Sequence, residues 1–220
     1  MSGFLSSSIG KKFAMALSAL FLMIFLLQHF AINILSVFSE SAFNKASHFM
    51  GTFWAVQYLL QPVLIFGVIF HFVMGFVLEI QNRKARQIKY AKNNGNANSS
   101  WMSRNMIWSG FAILAFIVLH FIDFWIPEMQ YKYIDFSPEN PKRYFHELVE
   151  KFHNPVRVSA YVIAFIFLIL HLLHGFNSAF QSVGANNKYT KALKGFSKIY
   201  AIGIPLGFIF IALFHHFTGH

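Results

Sequence analysis

No cysteine occurs anywhere in the 220 residues, which excludes disulfides and thiolate-bound metals outright. Charge is scarce as well. Asp, Glu, Lys and Arg make up 12% of the chain, and 8 acids stand against 18 bases. A surface so poor in charge cannot enclose a core in which 56% of all residues are hydrophobic, so the composition excludes an ordinary water-soluble domain. What is abundant instead is phenylalanine, with 29 copies, and histidine, with 11. The chain reads as an all-α, polytopic membrane protein in which imidazole is the one strong donor available to a bound metal.

Crossing a bilayer takes roughly 20 apolar residues in a helix, because the hydrocarbon is about 30 Å thick and each residue rises about 1.5 Å. Five segments meet this length within a single membrane domain, 1–220: about 13–37, 54–80, 106–126, 158–180 and 196–217. The first follows Lys11 and Lys12 in the manner of a signal peptide. It runs on too far and shows no small-residue cleavage site, so it reads as a retained helix.

The bases are unevenly distributed. Lys11, Lys12, Arg83, Lys84, Arg86, Lys89, Lys92, Arg104, Lys188, Lys191, Lys194 and Lys198 fall on one side of these spans. Lys45, Lys132, Lys142, Arg143, Lys151 and Arg157 fall on the other, mixed with most of the acids. The positive-inside rule then predicts a cytoplasmic N-terminus and an external C-terminus. It accounts for the +10 formal charge more simply than nucleic-acid binding does. The long outer connection, 127–157, carries a helical pattern over Lys142 to Phe152 that is suited to lying on the membrane, with His146 and His153 solvated or interfacial. Pro62 and Pro205 fall inside spans two and five and are expected to kink them.

Four histidines occupy two depths. His29 and His120 each lie about 17 residues past the inner boundary of their spans, roughly 25 Å along the helix. His71 and His171 lie about 12 residues before the inner end, roughly 18 Å. Local sequence pairs them the same way. LLQHFAINIL resembles IVLHFIDFWI, and FHFVMGF resembles LHLLHGF, with Gly75 and Gly175 each four residues beyond a histidine. A low-spin b-type haem needs two neutral imidazoles on opposite faces, delivered by facing helices, and no cysteine. A glycine one turn from the ligand leaves room for the macrocycle. The predicted clamps are His71 with His171 (inner) and His29 with His120 (outer). His174 faces about 60° away from His171 and matches Met74 in the repeat, which places it among neighbours or packing residues. A zinc or non-haem iron site fits less well, because the pairs are separated in depth and lack carboxylates.

The N-terminal SSSIGKKFAMALSALFLMIFLLQHF, the H-x-x-x-G steps of spans two and four, and GFNSAFQSVG resemble the dihaem cytochrome b membrane-anchor subunit of succinate dehydrogenases and fumarate reductases. The branch in question is the one in which a single five-helix polypeptide carries both haems. The resemblance covers essentially the whole chain. It implies a bacterial cytoplasmic-membrane location, two haem b groups and two partners: a flavoprotein subunit that handles succinate or fumarate, and an iron-sulfur subunit docked on the cytoplasmic face. Electrons then pass from the iron-sulfur centres to the inner haem, the outer haem and menaquinone. The family's ligands fall on the same four histidines. Ile169 stands where some members carry a glutamate proposed to conduct protons, and GTFWAVQYLLQ lacks the family's quinone-site carboxylate. His48, Gln57, Tyr58, Gln61 and Asp123 remain candidates for hydrogen bonding a quinone. Each also has a simpler role, as a backbone partner near Pro62, an interfacial aromatic, a solvated side chain or a helix cap. Other readings stay open: a dihaem cytochrome b of a formate dehydrogenase or hydrogenase, or a small transporter with histidine proton relays.

Overall fold

The computed structural model describes residues 7–85, 106–185 and 190–218. The bases Arg86, Lys89, Lys92, Arg104 and Lys188 lie outside the described residues. Among the described residues nine α-helices follow in chain order: α1 Ser8–Asn33, α2 Leu35–Phe38, α3 Glu40–Thr52, α4 Gln61–Ala85, α5 Met106–His120, α6 Ile126–Tyr133, α7 Arg143–His153, α8 Pro155–Ser182 and α9 Thr190–Thr218. Two five-residue π-helical turns, Val56–Leu60 and Phe121–Trp125, lead into α4 and join α5 to α6. No strand occurs among the described residues. Five stretches are long and apolar enough to cross a membrane: Ser8–Phe38, Val56–Lys84, Met106–Tyr133, Pro155–Ser182 and Thr190–Thr218. The chain is an all-helical, multi-pass membrane protein.

Each span outruns its apolar run for a local reason. Ser7 caps α1 by accepting from Gly10 N at 3.0 Å, which draws the polar SIGKK stretch into the helix. Asn154 caps α8 by accepting from Val156 N and Arg157 N at 2.9 and 3.2 Å, and Pro155 fills the first position, where no N–H is required. Gly184, at φ +79°, closes the end of α8 in the left-handed region that favours glycine. Pro62 and Pro127 each sit second after a π-helical turn. The wider turn relieves the clash between a proline ring and the carbonyl four residues before it. Span three therefore continues past Pro127 to Tyr133, beyond the boundary near Ile126 that hydropathy indicates. Pro205 lies within an uninterrupted α9.

α1 packs on α4, α5 packs on α8, and α8 joins α1 and α9. α9 presents Ala201 and Ala212, both fully buried, and these small residues let backbones approach closely where lipid supplies no hydrophobic drive between helices. Tyr200 of α9 donates to Met23 O of α1. α4 is the most peripheral span, and Gly67, against Phe21, is its one buried residue among those described. The Phe-rich core runs through Phe165, Phe176 and Phe208 to Phe152.

α3, α6 and α7 cap one end of this bundle. The helix expected over Lys142 to Phe152 forms as α7, and it buries Leu148, Val149 and Phe152 against the bundle while His146 and His153 stay exposed. Asn44 of α3 accepts from Phe145 N at 2.8 Å. Arg143 lies between the rings of Tyr131 and Tyr144, at 4.1 and 4.4 Å, and pairs with Glu128 and Glu147. Burial works against the Arg143 charge, but its hydrogen bonds to Glu128 and Glu147 outweigh it and hold the guanidinium pKa above its ordinary value. Lys11 donates to Gln81 at 3.4 Å at the opposite end.

Candidate functional site

The repeat read from the sequence becomes a spatial pairing. The rings of His71 in α4 and His171 in α8 have centroids 6.3 Å apart at an interplanar angle of 68°. Those of His29 in α1 and His120 in α5 are 5.7 Å apart at 85°. The His29–His120 pair sits toward the capped end of the bundle and the His71–His171 pair toward the other end. His174 makes no ring or hydrogen-bond contact with either member of the nearby pair among the described residues.

Around the His71–His171 pair, a serine hydroxyl stands at Nδ1 of each ring. Ser18 Oγ donates to Met15 O at 2.8 Å and lies 3.1 Å from His71 Nδ1. Ser109 Oγ donates to Met106 O at 2.8 Å and lies 3.2 Å from His171 Nδ1. A hydroxyl has one proton, and here the backbone takes it, so each serine meets its histidine as an acceptor. In that arrangement each ring would carry Nδ1–H and keep the Nε2 lone pair. The glycines follow the same symmetry: a Cβ at Gly75 would meet Met15 Cε at 3.6 Å, and one at Gly175 would meet Met106 Cε at 3.4 Å.

Sequence reading had missed these serines. The signal was present, since Met15 and Ser18 precede His29 by the same offsets as Met106 and Ser109 precede His120. It was obscured because each serine serves the histidine of a different helix, not the one on its own.

The other pair is built differently. His120 is the last residue of α5, and the π-helical turn after it carries Asp123, whose side chain is 1% exposed. Tyr161 of α8 donates to Asp123 Oδ2 at 2.9 Å, and its hydroxyl oxygen lies 3.5 Å from His120 Nδ1. Arg157 Nη2 stands 3.1 Å from Asp123 Oδ1. On the facing side, Asn33 Nδ2 donates to His29 O at 2.8 Å. Phe25, Phe208, Phe116 and Phe124 surround the two rings. Tyr161 is a further residue that sequence reading had missed, because nothing local to LLHGF or VRVSAYV points toward His120.

The remaining candidates separate. Gln57 and Gln61 line one open groove of about 440 Å³ with Pro62, Phe66, Met129 and Tyr133. Gln57 Nε2 donates to Met50 O at 2.9 Å, while its Oε1 is buried with no hydrogen-bond partner among the described residues. Tyr58 is largely exposed beside Tyr133. His48 lies away from this groove, 3.1 Å from Glu139 and edge-on to Tyr144. Asp123 faces Tyr161 instead of the groove. His215, 1% exposed, meets Ser36 Oγ through Nε2 at 2.9 Å and serves the packing between α2 and α9.

Chemically, each histidine pair offers two imidazoles and nothing else. No group of three or more His, Cys, Asp or Glu able to hold a metal occurs among the described residues. A metal–imidazole bond of about 2 Å on each side places the two ring centres roughly 6 Å apart, the scale of both pairs. Comparison with family models, curated proteins and solved structures finds no match. The class that fold and site define is thus a five-span helical membrane protein with two intramembrane histidine pairs.

Proposed function

We propose that this chain is the dihaem b membrane anchor of a succinate:quinone oxidoreductase in a bacterial cytoplasmic membrane. It holds one haem between His71 and His171 and another between His29 and His120. The observation that carries this reading is the serine arrangement: a hydroxyl bonded to a backbone carbonyl stands at each Nδ1 of one pair and can hold it protonated, which leaves Nε2 free for a metal. A transporter relay has no need to pin both imidazoles in the same tautomer with separate acceptors, and the pairing of ligand-free nitrogens favours metal binding over proton transfer.

When bound, the haems supply one-electron transfer across the membrane. The chain contributes orientation, dryness and proton placement. Ser18 and Ser109 fix ring orientation at one pair, and the phenylalanines exclude water from the other. The groove of Gln57, Gln61 and Tyr133 is the place for menaquinone, because two amides and a phenol can bond both quinone oxygens beside an apolar wall. Succinate chemistry itself belongs to the flavoprotein partner. The iron-sulfur partner docks at the end bearing Lys11, Lys12, Arg83 and Lys84, which this reading makes cytoplasmic.

Purification from a haem-replete host tests the proposal. Two haems b per chain, co-purifying flavoprotein and iron-sulfur subunits, and succinate oxidation by a menaquinone analogue are expected. A preparation lacking any haem absorption band would sink it, and haem with formate dehydrogenase or hydrogenase subunits would reassign the partner.

A further inference from the structure

Asp123 is the one buried carboxylate among the described residues, and it lies within a membrane-spanning stretch. An acid held there is costly unless it is paired and used. Its two oxygens are divided between a surface and an interior partner: Oδ1 to Arg157, whose side chain is 35% exposed, and Oδ2 to the Tyr161 hydroxyl. Tyr161 gives its single proton to Asp123, so toward His120 Nδ1 it is only an acceptor. The result is a continuous line, Arg157 to Asp123 to Tyr161 to His120, ending on a predicted axial ligand.

We propose that Tyr161 is a positioning residue for His120, polarised by Asp123, and that it sets the reduction potential of the haem held by His29 and His120. The proposal rests on the dihaem reading above. A carboxylate drawing on the phenol proton makes the phenol oxygen a stronger acceptor, which increases the basicity of the imidazole beyond it. A more basic axial ligand favours the ferric state and lowers the potential. A metal held by His120 would strengthen the 3.5 Å contact, because it would make Nδ1–H the better donor. The other pair carries no such line. His71 and His171 meet serine oxygens whose protons go to backbone carbonyls, and no carboxylate bonds those serines among the described residues. The two haems thus experience different ligand fields through residues of this chain.

Redox-titrated spectra of the intact complex test this, with the His29–His120 haem assigned as the one absent from His120→Ala. Tyr161→Phe is expected to shift that haem's reduction equilibrium about tenfold toward the ferrous form, an upward shift of ~59 mV for a one-electron couple. The His71–His171 haem is expected to stay in place. Asp123→Asn keeps the tyrosine but offers it a neutral acceptor, and should move the same haem in the same direction by a smaller amount. Both haems present with an unmoved His29–His120 potential in both variants overturns this proposal alone. Loss of that haem from both variants also overturns it, by making Tyr161 and Asp123 structural supports. A wild-type complex without haem overturns the dihaem reading and this inference together.

Discussion

Ser109 Oγ lies 3.2 Å from His171 Nδ1 while its own proton is committed to Met106 O. The same relationship joins Ser18 to His71 in the other half of the bundle. One hydroxyl on α5 is thereby placed to hold the proton of a ring on α8 at Nδ1.

Ser18→Ala and Ser109→Ala each remove the acceptor for a buried Nδ1–H. Haem affinity at the His71–His171 pair is expected to fall about 10- to 100-fold in either variant, with the other haem unaffected. Haem-to-protein stoichiometry across a haem titration measures this. Equal loss from both sites would mean the serines support the bundle as a whole.

Histidine replacement separates the pairs. His71→Ala and His171→Ala should lose the same haem, His29→Ala and His120→Ala the other, and His174→Ala neither. Absorption and low-temperature spectra of the five variants decide the matter. A haem lost from His174→Ala and kept in His171→Ala would reverse the assignment.

Quinone reactivity should respond to the groove without any change in haem content. Gln57→Leu and Gln61→Leu are expected to raise the KM for a menaquinone analogue about five- to tenfold, the value of one hydrogen bond to a ligand. His48→Ala, outside the groove and paired with Glu139, should leave it unchanged. Steady-state kinetics at matched haem loading provide the comparison.

Two glycines of α9 should differ in their tolerance of a methyl group. A Cβ at Gly207 would collide with the Phe30 ring, whereas one at Gly203 meets nothing within 4 Å. Gly207→Ala should therefore destabilise by about 1–3 kcal/mol through overpacking. Gly203→Ala should be neutral or slightly stabilising. Thermal unfolding in detergent distinguishes them.

The capped end should lose stability at high pH. Burial, and next the charge of Glu128, push the Tyr144 hydroxyl from 10.0 up to about 12. The folded state binds this proton more tightly than the unfolded chain, so the stabilisation is complete below pH 10 and is lost as pH rises from 10 to 12. The thermal midpoint should fall more steeply across that window in the wild type than in Tyr144→Phe. Parallel curves would remove Tyr144 as the cause.

The candidate site was legible where chemistry repeats along the chain. His29 and His120, and His71 and His171, share local sequence, and the rings of each pair meet across two helices. Tyr161 had no such signature. It reaches His120 only because α5 and α8 pack side by side and a π-helical turn presents Asp123 between them. The quinone candidates were harder still, since Gln57 and His48 are nine residues apart in sequence yet belong to different environments, one a groove and the other the α3–α7 cap.

Apolar length and its interruption by polar loops determined the all-helical, five-span character of the chain, because a bilayer leaves a hydrophobic backbone few alternatives to a helix. Histidine spacing determined which imidazoles share a depth. Tertiary structure alone decided which hydroxyl faces which ring, where the buried Asp123 points, and which polar candidates meet the groove. Those are relations between helices, set by side-chain packing across the bundle, and periodicity within one helix carries no record of its neighbour's rotation.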